Sequence, residues 1–376
     1  MSDWNGVSVL DPTGGAVRSV RQAKGGALYD SLRVRSTRDA WAVTGDSEWV
    51  LMHYDGKRWA QVRRREQFPG QFDDNKLDDL AVTTDAVWVS TWNGLWRGAG
   101  ADWQRVEPPA GEDRALFLFV YRDRLIAHYI GGYFIREGAA WKRLGWPESA
   151  GQLRAVSELG LGAGVSPDRN RVVIGSLEGK GRVVTSGPIQ GSTIKELTID
   201  LSGRVWVVTD YALSVLDRAG RLVAEWTPGT LDGLTGQVAR VAVVGAGPAK
   251  LPAPRPARGF EIVGRMQIYK SRAALANASL ELCPQPDAEL GCRGSAFVRS
   301  ATTGADGSFR FADVPEGDFR IHVRPPPTEK DCGGLFRMMG HSFAPARDCK
   351  PDPAAPARCD LGTLTQCLPF EMPPPH

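Results

Sequence analysis

The stretch Val87-Trp-Val-Ser-Thr-Trp-Asn-Gly-Leu-Trp-Arg97 decides the fold of most of this 376-residue chain. Two short runs, rich in β-branched and aromatic residues, lie on either side of Asn93-Gly94. Asn-Gly is a preferred two-residue turn of β-hairpins, because both positions tolerate a positive φ. The stretch therefore predicts two antiparallel strands joined by a tight turn.

Related stretches recur along the chain at a spacing of about 40 residues. The clearest copy begins with Trp41-Ala-Val-Thr44 and ends with the turn Asp55-Gly56. Weaker copies lie at residues 124–135, 171–175 and 204–217, and each copy follows another short apolar run. About four strands in a repeat of this length is typical of β-propeller blades. A β-sandwich with a chance spacing is the alternative.

The beginning of the chain reads like the middle of a repeat. Trp4-Asn5-Gly6 repeats the Trp92-Asn93-Gly94 turn, and the apolar run at 238–244 would supply the inner strand of the same blade. We therefore predict a propeller of about six blades over residues 1–246. The strand that should precede Trp4 is missing, so we also expect an upstream segment that carries this strand and a signal peptide.

The repeats resemble those of two-component-regulator propellers, in which the pattern Val-Trp-Val-x-Thr-x-x-Gly-Leu recurs. Residues 87–95 fit this pattern well, whereas the repeat around Ile126 fits it poorly. The resemblance covers about residues 1–246 and implies a fold rather than a reaction.

A second block follows a spacer of proline and alanine at residues 247–259, which is predicted to be stiff and extended. Short alternating runs over 260–326 have Asp306-Gly307 and Pro315-Glu-Gly317 where turns are required, so they predict a small β-sandwich. The stretches at 306–311 and 314–319 resemble the carboxypeptidase regulatory-like (transthyretin-like) domain. That resemblance implies an accessory domain for folding, spacing or binding. The fold class of the whole chain is therefore all-β.

Tryptophan and cysteine occupy separate parts of the chain. All 12 tryptophans lie at or before Trp226, and all 6 cysteines lie at or after Cys283. A tail rich in proline, residues 327–376, has little but disulfides to hold it, and zinc is a weaker alternative because no CxxC pair occurs. Cys283 and Cys292 are close enough to bridge across a hairpin end, and the other pairings stay open. The cysteines predicted to form disulfides are Cys283, Cys292, Cys332, Cys349, Cys359 and Cys367.

Composition excludes some partners and suggests a location. A net charge of +3, from 46 basic and 43 acidic residues, gives no electrostatic reason to expect nucleic acid. No stretch is apolar for the roughly 18 residues of a membrane span. Because disulfides form in oxidising compartments, we expect an extracytoplasmic protein, in the periplasm, on the outer membrane surface or secreted. A lipid anchor upstream of Met1 is an open alternative.

No catalytic motif survives inspection. The stretch Gly340-His-Ser-Phe-Ala344 lacks the second glycine of a nucleophile elbow, and 175–180 lacks the spacing of a phosphate-binding loop. We therefore expect no catalytic residue, no metal site and no cofactor. A metal-dependent propeller lactonase or lyase is the enzymatic alternative. It would depend on acidic loops, because His53 and His128 are the only histidines of the first block.

Propellers usually bind ligands at the mouth of the central channel, where loops between strands converge. Aromatic side chains mixed with carboxylates and amides there suit a peptide, a glycan or a small polar ligand. The same residue types also serve simply as turn formers and blade packing. The function predicted is a non-catalytic binding or scaffold protein with a protein or glycan partner; a ligand-sensing part of a signalling system is the alternative. The predicted mouth residues are Trp4, Asn5, Asp46, Glu48, Trp92, Asn93, Tyr129, Glu178, Asp210 and Tyr211.

Overall fold

The structure of the protein is a computed structural model. The chain divides into two compact units, residues 1–225 with 238–253, and residues 226–237 with 254–376. The described residues are 2–3, 6–10, 17–22, 29–36, 38–44, 50–64, 67–68, 77–99, 102–147, 150–167, 169, 171–179, 183–187, 189, 193–209, 211–231, 241, 243, 250–256, 259–268, 271–284, 292, 295, 297–317, 319–324, 342–343 and 357–366.

The first unit is a series of antiparallel sheets, each formed by strands that follow one another in the chain. An N-terminal sheet has three strands, and five blades of four strands follow it. The N-terminal sheet comprises β1 Ser2–Asp3, β2 Gly6–Leu10 and β3 Val17–Gln22. Blade 1 comprises β4 Tyr29–Ser36, β5 Asp39–Thr44, β6 Val50–Tyr54 and β7 Trp59–Arg64. Blade 2 comprises β8 Leu77–Val82, β9 Val87–Thr91, β10 Gly94–Ala99 and β11 Asp102–Val106.

The remaining three blades repeat the same meander. Blade 3 comprises β12 Phe117–Tyr121, β13 Arg124–Tyr129, β14 Gly132–Glu137 and β15 Ala140–Arg143. Blade 4 comprises β16 Gln152–Val156, β17 Leu161–Val165, β18 Val172–Ser176 and β19 Val184–Thr185. Blade 5 comprises β20 Ile194–Ile199, β21 Val205–Thr209, β22 Leu213–Leu216 and β23 Leu222–Trp226.

The hydrophobic cores of this unit lie between consecutive blades. Between blades 3 and 4, for example, Phe119 and Ile126 pack with Trp146 and Val173. Equivalent cores join blade 1 to blade 2, blade 2 to blade 3 and blade 4 to blade 5. Sheets that bury both faces against their neighbours around a common axis form a propeller. The prediction of a β-propeller of about six blades is confirmed.

The strand expected from residues 238–244 lies largely outside the described residues. Val241 and Val243 are described, and both line the central channel together with inner strands of the blades.

The second unit is a small β-sandwich. Its strands are β24 Phe260–Ile268, β25 Ser279–Cys283, β26 Arg299–Thr302, β27 Ser308–Val314, β28 Phe319–Arg324, β29 Ser342–Phe343 and β30 Arg358–Gln366. One sheet has the order β27-β24-β30 and the other has the order β26-β25-β28-β29. Apolar residues on alternate positions fill the space between the sheets, including Ile262, Leu280 and Phe311.

The cysteine-rich tail contributes a strand that the sequence pattern did not indicate. β30 pairs in parallel with β24 over most of its length, so backbone hydrogen bonds hold this part of the tail. Cys359 on β30 is buried and disulfide-bonded. The predicted bridge between Cys283 and Cys292 is confirmed, whereas Cys332, Cys349 and Cys367 lie outside the described residues.

Candidate functional site: the mouth of the propeller channel

The inner strands of the blades enclose a cavity of about 340 Å³. Apolar residues such as Leu32, Val34 and Leu118 line it together with charged residues such as Arg35 and Glu158. Because each blade is a meander, its first and third hairpin turns lie at one end of the sheet and its middle turn lies at the other. We call the end with the middle turns, where the inner strands also begin, the mouth.

Charged side chains gather at the mouth. A smaller pocket of about 80 Å³ opens there between the inner strands of all five four-stranded blades. The pocket contains both signs of charge beside two phenyl rings, and its lining comprises Ser31, Arg33, Asp78, Asp79, Phe117, Phe119, Arg154, Lys195, Glu196 and Leu197.

Asp79 on β8 connects three inner strands. Its buried carboxylate accepts hydrogen bonds from Ser31 Oγ (2.6 Å), from Arg33 (2.9 Å) and from the backbone N–H of Leu118 (2.9 Å). A further bond comes from the N–H of Leu80. Because both of its oxygens already accept hydrogen bonds from the protein, this carboxylate holds the wall of the channel in place and is poorly available to a ligand.

The neighbouring Asp78 belongs to a different arrangement, on the rim. Arg114, from the connection between blades 2 and 3, donates to Asp78 Oδ2 from Nε (3.2 Å) and from a terminal nitrogen (2.8 Å). The same guanidinium lies 3.8 Å from the centre of the Trp92 ring. Trp92 is nevertheless 54% exposed. The ion pair therefore holds a cation against one side of an indole ring that remains open to solvent.

A stack of rings forms the mouth wall between blades 3 and 4. The Arg154 guanidinium lies 4.4 Å from the Phe117 ring, and His128 stacks between Phe117 and Tyr133. Burial, with a smaller contribution from the positive charge of Arg154, lowers the pKa of His128 to about 4. His128 is consequently neutral at neutral pH, and its Nδ1 is buried without a partner among the described residues.

Three of the predicted mouth residues lie in middle turns. Trp92 and Asn93 join β9 to β10 in blade 2, and Tyr211 joins β21 to β22 in blade 5. Tyr211 is half-buried, and its backbone N–H donates to Thr209 Oγ1 (3.2 Å).

Two predicted mouth residues do not present their side chains at the mouth. Tyr129 ends β13 near the mouth, but its side chain is 0% exposed and packs edge-on against Phe134 and Trp141 in the core between blades 2 and 3. Glu178 follows β18, so it lies in a third hairpin connection, at the opposite end of the blade from the mouth. The other predicted mouth residues, Trp4, Asn5, Asp46, Glu48 and Asp210, lie outside the described residues.

Several charged residues of the mouth were not predicted. Asp78 and Lys195 are second residues of inner strands, within Leu77-Asp-Asp-Leu80 and Ile194-Lys-Glu-Leu197. Charges at the start of an otherwise apolar inner strand are the signal that could have identified them. Arg114 could not be found in this way, because only its contacts with Asp78 and Trp92 place it at the mouth.

Metal and membrane features can be stated for the described residues. Among them, no group of three or more His, Cys, Asp or Glu side chains could hold a metal ion. Within the same residues, no helix is long and apolar enough to cross a membrane.

Comparison with known proteins gives distant likenesses of fold. Neither a protein-family model nor a curated protein matches the chain. Among solved structures, YCF48 bound to D1 peptide has 13% identity and a TM-score of 0.40, over 54% of this chain and 69% of that one. The extracellular domain of the putative one component system BT4673 from B. thetaiotaomicron has 15% identity and a TM-score of 0.27, over 58% of this chain and 33% of that one.

Regucalcin, a calcium-binding protein from Agrobacterium tumefaciens, has 14% identity and a TM-score of 0.38, over 52% of this chain and 72% of that one. Likeness at this level extends to proteins as different as YCF48 and regucalcin, so it shows the fold alone. The propeller assignment of this chain therefore depends on its own strand pairing and inter-blade cores.

Proposed function

We propose that the chain is a non-catalytic binding or scaffold protein whose propeller mouth takes a segment of a protein partner. The observation that supports this most is Trp92. The other tryptophans that the structure describes are buried or half-buried, whereas Trp92 stands exposed on the rim with Arg114 held against it. Exposed tryptophan and arginine side chains are enriched among the residues that dominate protein–protein binding.

The mixed character of the mouth also favours a polypeptide. Arg154, Lys195 and Glu196 lie beside the phenyl ring of Phe117, so both signs of charge and an aromatic surface are presented together. Peptides offer apolar side chains, charges and backbone amides in one ligand. A glycan remains the second ligand class, since an exposed indole ring can also take the apolar face of a sugar.

The test compares the effect on ligand binding of removing either of two exposed apolar side chains, which lie at opposite ends of the propeller. Wild-type protein, Trp92→Ala and the matched control Leu159→Ala, at a first hairpin turn of blade 4, would be applied to a peptide array and to a glycan array. We expect wild-type and Leu159→Ala to bind peptides and Trp92→Ala to lose at least ten-fold in affinity. Binding to glycans alone, or equal binding by Trp92→Ala, would contradict the proposal.

The location and domain family are part of the same proposal. We propose an extracytoplasmic protein, supported by the Cys283–Cys292 bridge, because stable disulfides are characteristic of oxidising compartments. We also propose that the repeats are of the two-component-regulator type and that the sandwich is a carboxypeptidase regulatory-like domain. A ligand-sensing role in a signalling system is compatible with the same mouth.

The enzymatic alternative has a direct test. Purified protein would be analysed for bound calcium and zinc, and assayed against lactones with each metal added. We expect no stoichiometric metal in the propeller and no turnover. Stoichiometric metal together with metal-dependent turnover would replace the binding function by a lactonase or lyase.

A further inference from the structure

Two neighbouring blades present the same arrangement at the mouth, and the inference drawn from it rests on the proposed function. Trp92 is at the tip of the middle turn of blade 2, and Ile130 is at the tip of the middle turn of blade 3. Ile130 is 80% exposed. Exposing two large apolar side chains at equivalent positions is unfavourable in water. Covering them with a partner would therefore make the free energy of binding more favourable.

One connection fixes these two turns relative to each other. Arg114 stacks on Trp92, and Glu112, two residues earlier, accepts a hydrogen bond from the N–H of Gly131 (3.2 Å) beside Ile130. The connection between blades 2 and 3 therefore touches both tips. A surface fixed in this way loses little conformational entropy when a ligand binds.

Each tip is also accompanied by an arginine from the outer strand of its blade. The turn of blade 2 leads into Gly94, where an added Cβ would lie 3.1 Å from Arg105 Nε. The turn of blade 3 leads into Gly132, where the corresponding distance to Arg143 Nε is 3.4 Å. Both glycines have positive φ, 125° and 134°, so the backbone leaves space for the guanidinium groups.

These two guanidinium groups keep binding capacity for a ligand. Arg143 uses one terminal nitrogen to donate to the Gly131 carbonyl (2.8 Å). Neither Arg105 nor Arg143 forms an ion pair with a described carboxylate, and both are exposed. Guanidinium groups recognise carboxylates through paired hydrogen bonds.

The carboxylates near the tips of blades 2 and 3 are arranged differently from these two arginines. Asp78 is bound by Arg114, and Glu112 is bound by the Gly131 N–H. Glu107 and Asp113 lie on the connection itself and are exposed. Glu112 thus places one carboxylate at the tip of blade 3, already hydrogen-bonded, whereas Arg105 and Arg143 lie against Gly94 and Gly132 with no described carboxylate paired to them.

We propose that the mouth of blades 2 and 3 binds an acidic peptide segment in which apolar side chains adjoin carboxylates. The apolar side chains would cover Trp92 and Ile130, and the carboxylates would pair with Arg105 and Arg143. Two equivalent tips allow a ligand with two such pairs to bind more tightly than a ligand with one.

The probes are two synthetic peptide pools with the same apolar residues, one flanked by Asp and Glu and the other by Lys and Arg. Binding of each labelled pool to the full chain would be measured by fluorescence anisotropy at 0.05 and 0.15 M salt. We expect the acidic pool to bind at least ten-fold more tightly, and Arg105→Ala with Arg143→Ala to remove that difference. The matched control, Glu107→Ala with Asp113→Ala, should leave acidic binding unchanged or stronger.

The outcomes separate this inference from the proposed function. Peptide binding that depends on Trp92 but prefers the basic pool, shows no charge preference or depends on Glu107 and Asp113 would overturn the inference and leave the proposed function standing. Binding of neither pool by wild-type protein would overturn both. Circular dichroism of each variant establishes that it is folded before its binding is interpreted.

Discussion

The carboxylate of Asp79 accepts a 2.6 Å hydrogen bond from the hydroxyl of Ser31, and this bond joins the inner strands of blades 2 and 1. The same carboxylate also accepts from the N–H of Leu118 in blade 3. Three consecutive blades thus meet at one buried anion. Asp79 therefore holds together the inner strands that carry the mouth residues.

Replacing Asp79 by Asn should destabilise the propeller by about 2–4 kcal/mol. The amide has one acceptor oxygen where the carboxylate has two, so its NH₂ group must face either Ser31 and Arg33 or the Leu118 N–H. Arg33 also loses its ion-pair partner. Urea unfolding followed by tryptophan fluorescence measures the change. Asp102→Asn, on an exposed residue, is the control, and equal stabilities of the two variants would show that the Asp79 network is not stabilising.

His128 should make the propeller less stable in mild acid. Its folded pKa of about 4 is below the usual value of 6.5, so the unfolded chain takes up a proton first as the pH falls. The free energy of unfolding therefore decreases as the pH falls from about 6.5 to about 4. Below that range His128 causes no further decrease. The total effect is about 2–3 kcal/mol.

The measurement for His128 is the free energy of unfolding of wild type and His128→Phe between pH 7 and pH 4. Phenylalanine keeps a ring between Phe117 and Tyr133 and cannot be protonated. We expect the variant to lose about 2–3 kcal/mol less than wild type over this range. Identical pH dependence in the two proteins would show that His128 is not the titrating group.

Gly307, in the Asp306-Gly307 turn of the sandwich, should be sensitive to replacement by alanine. Its φ is +76°, and an added Cβ would lie 2.3 Å from the Met266 carbonyl oxygen. Gly307→Ala should therefore cost about 2–4 kcal/mol. Gly362→Ala is the matched control, because φ is +66° there and nothing lies within 4 Å of the added Cβ.

Hydrogen exchange measured by mass spectrometry reports on the sandwich, since no tryptophan follows Trp226. Exchange in β24 should accelerate far more in Gly307→Ala than in Gly362→Ala, whose cost is about 1–2 kcal/mol from φ alone. Equal acceleration would mean that the contact with Met266 adds nothing to the backbone strain.

Local sequence patterns predicted the strands of the fold because turns and strand alternation are encoded within a few residues. Asp306-Gly307 lies in a turn between strands, as its type requires, whereas the two-residue turn of blade 2 is Trp92-Asn93 and Gly94 already begins β10, one residue away from the predicted turn. β30 was missed because it pairs with β24, a strand about 90 residues away, in a parallel register that no hairpin signal marks.

The candidate site was only partly predictable, for a geometric reason. The sequence identifies turns, but the end of the sheet at which a turn lies depends on its order in the meander. Counting the hairpins would have placed Glu178 away from the mouth. Burial of Tyr129 and the contact of Arg114 with Trp92 depend on packing between blades, which no single repeat contains.

The Cys283–Cys292 bridge should stabilise the sandwich without affecting the propeller. The two cysteines are 9 residues apart in the chain, and a loop of this length gives about 2–3 kcal/mol in the chain-entropy account of disulfides. Both cysteines would be replaced by Ala rather than Ser, because serine would bury two hydroxyl groups. This replacement should accelerate hydrogen exchange in β25 by roughly 30-fold or more. The urea transition seen by tryptophan fluorescence should change little from wild type, because 11 of the 12 tryptophans lie in the first unit and Trp226 alone lies in the second. Unchanged exchange in β25 would show that the backbone pairing of β25 with β26 and β28 holds this part of the sandwich without the covalent bond.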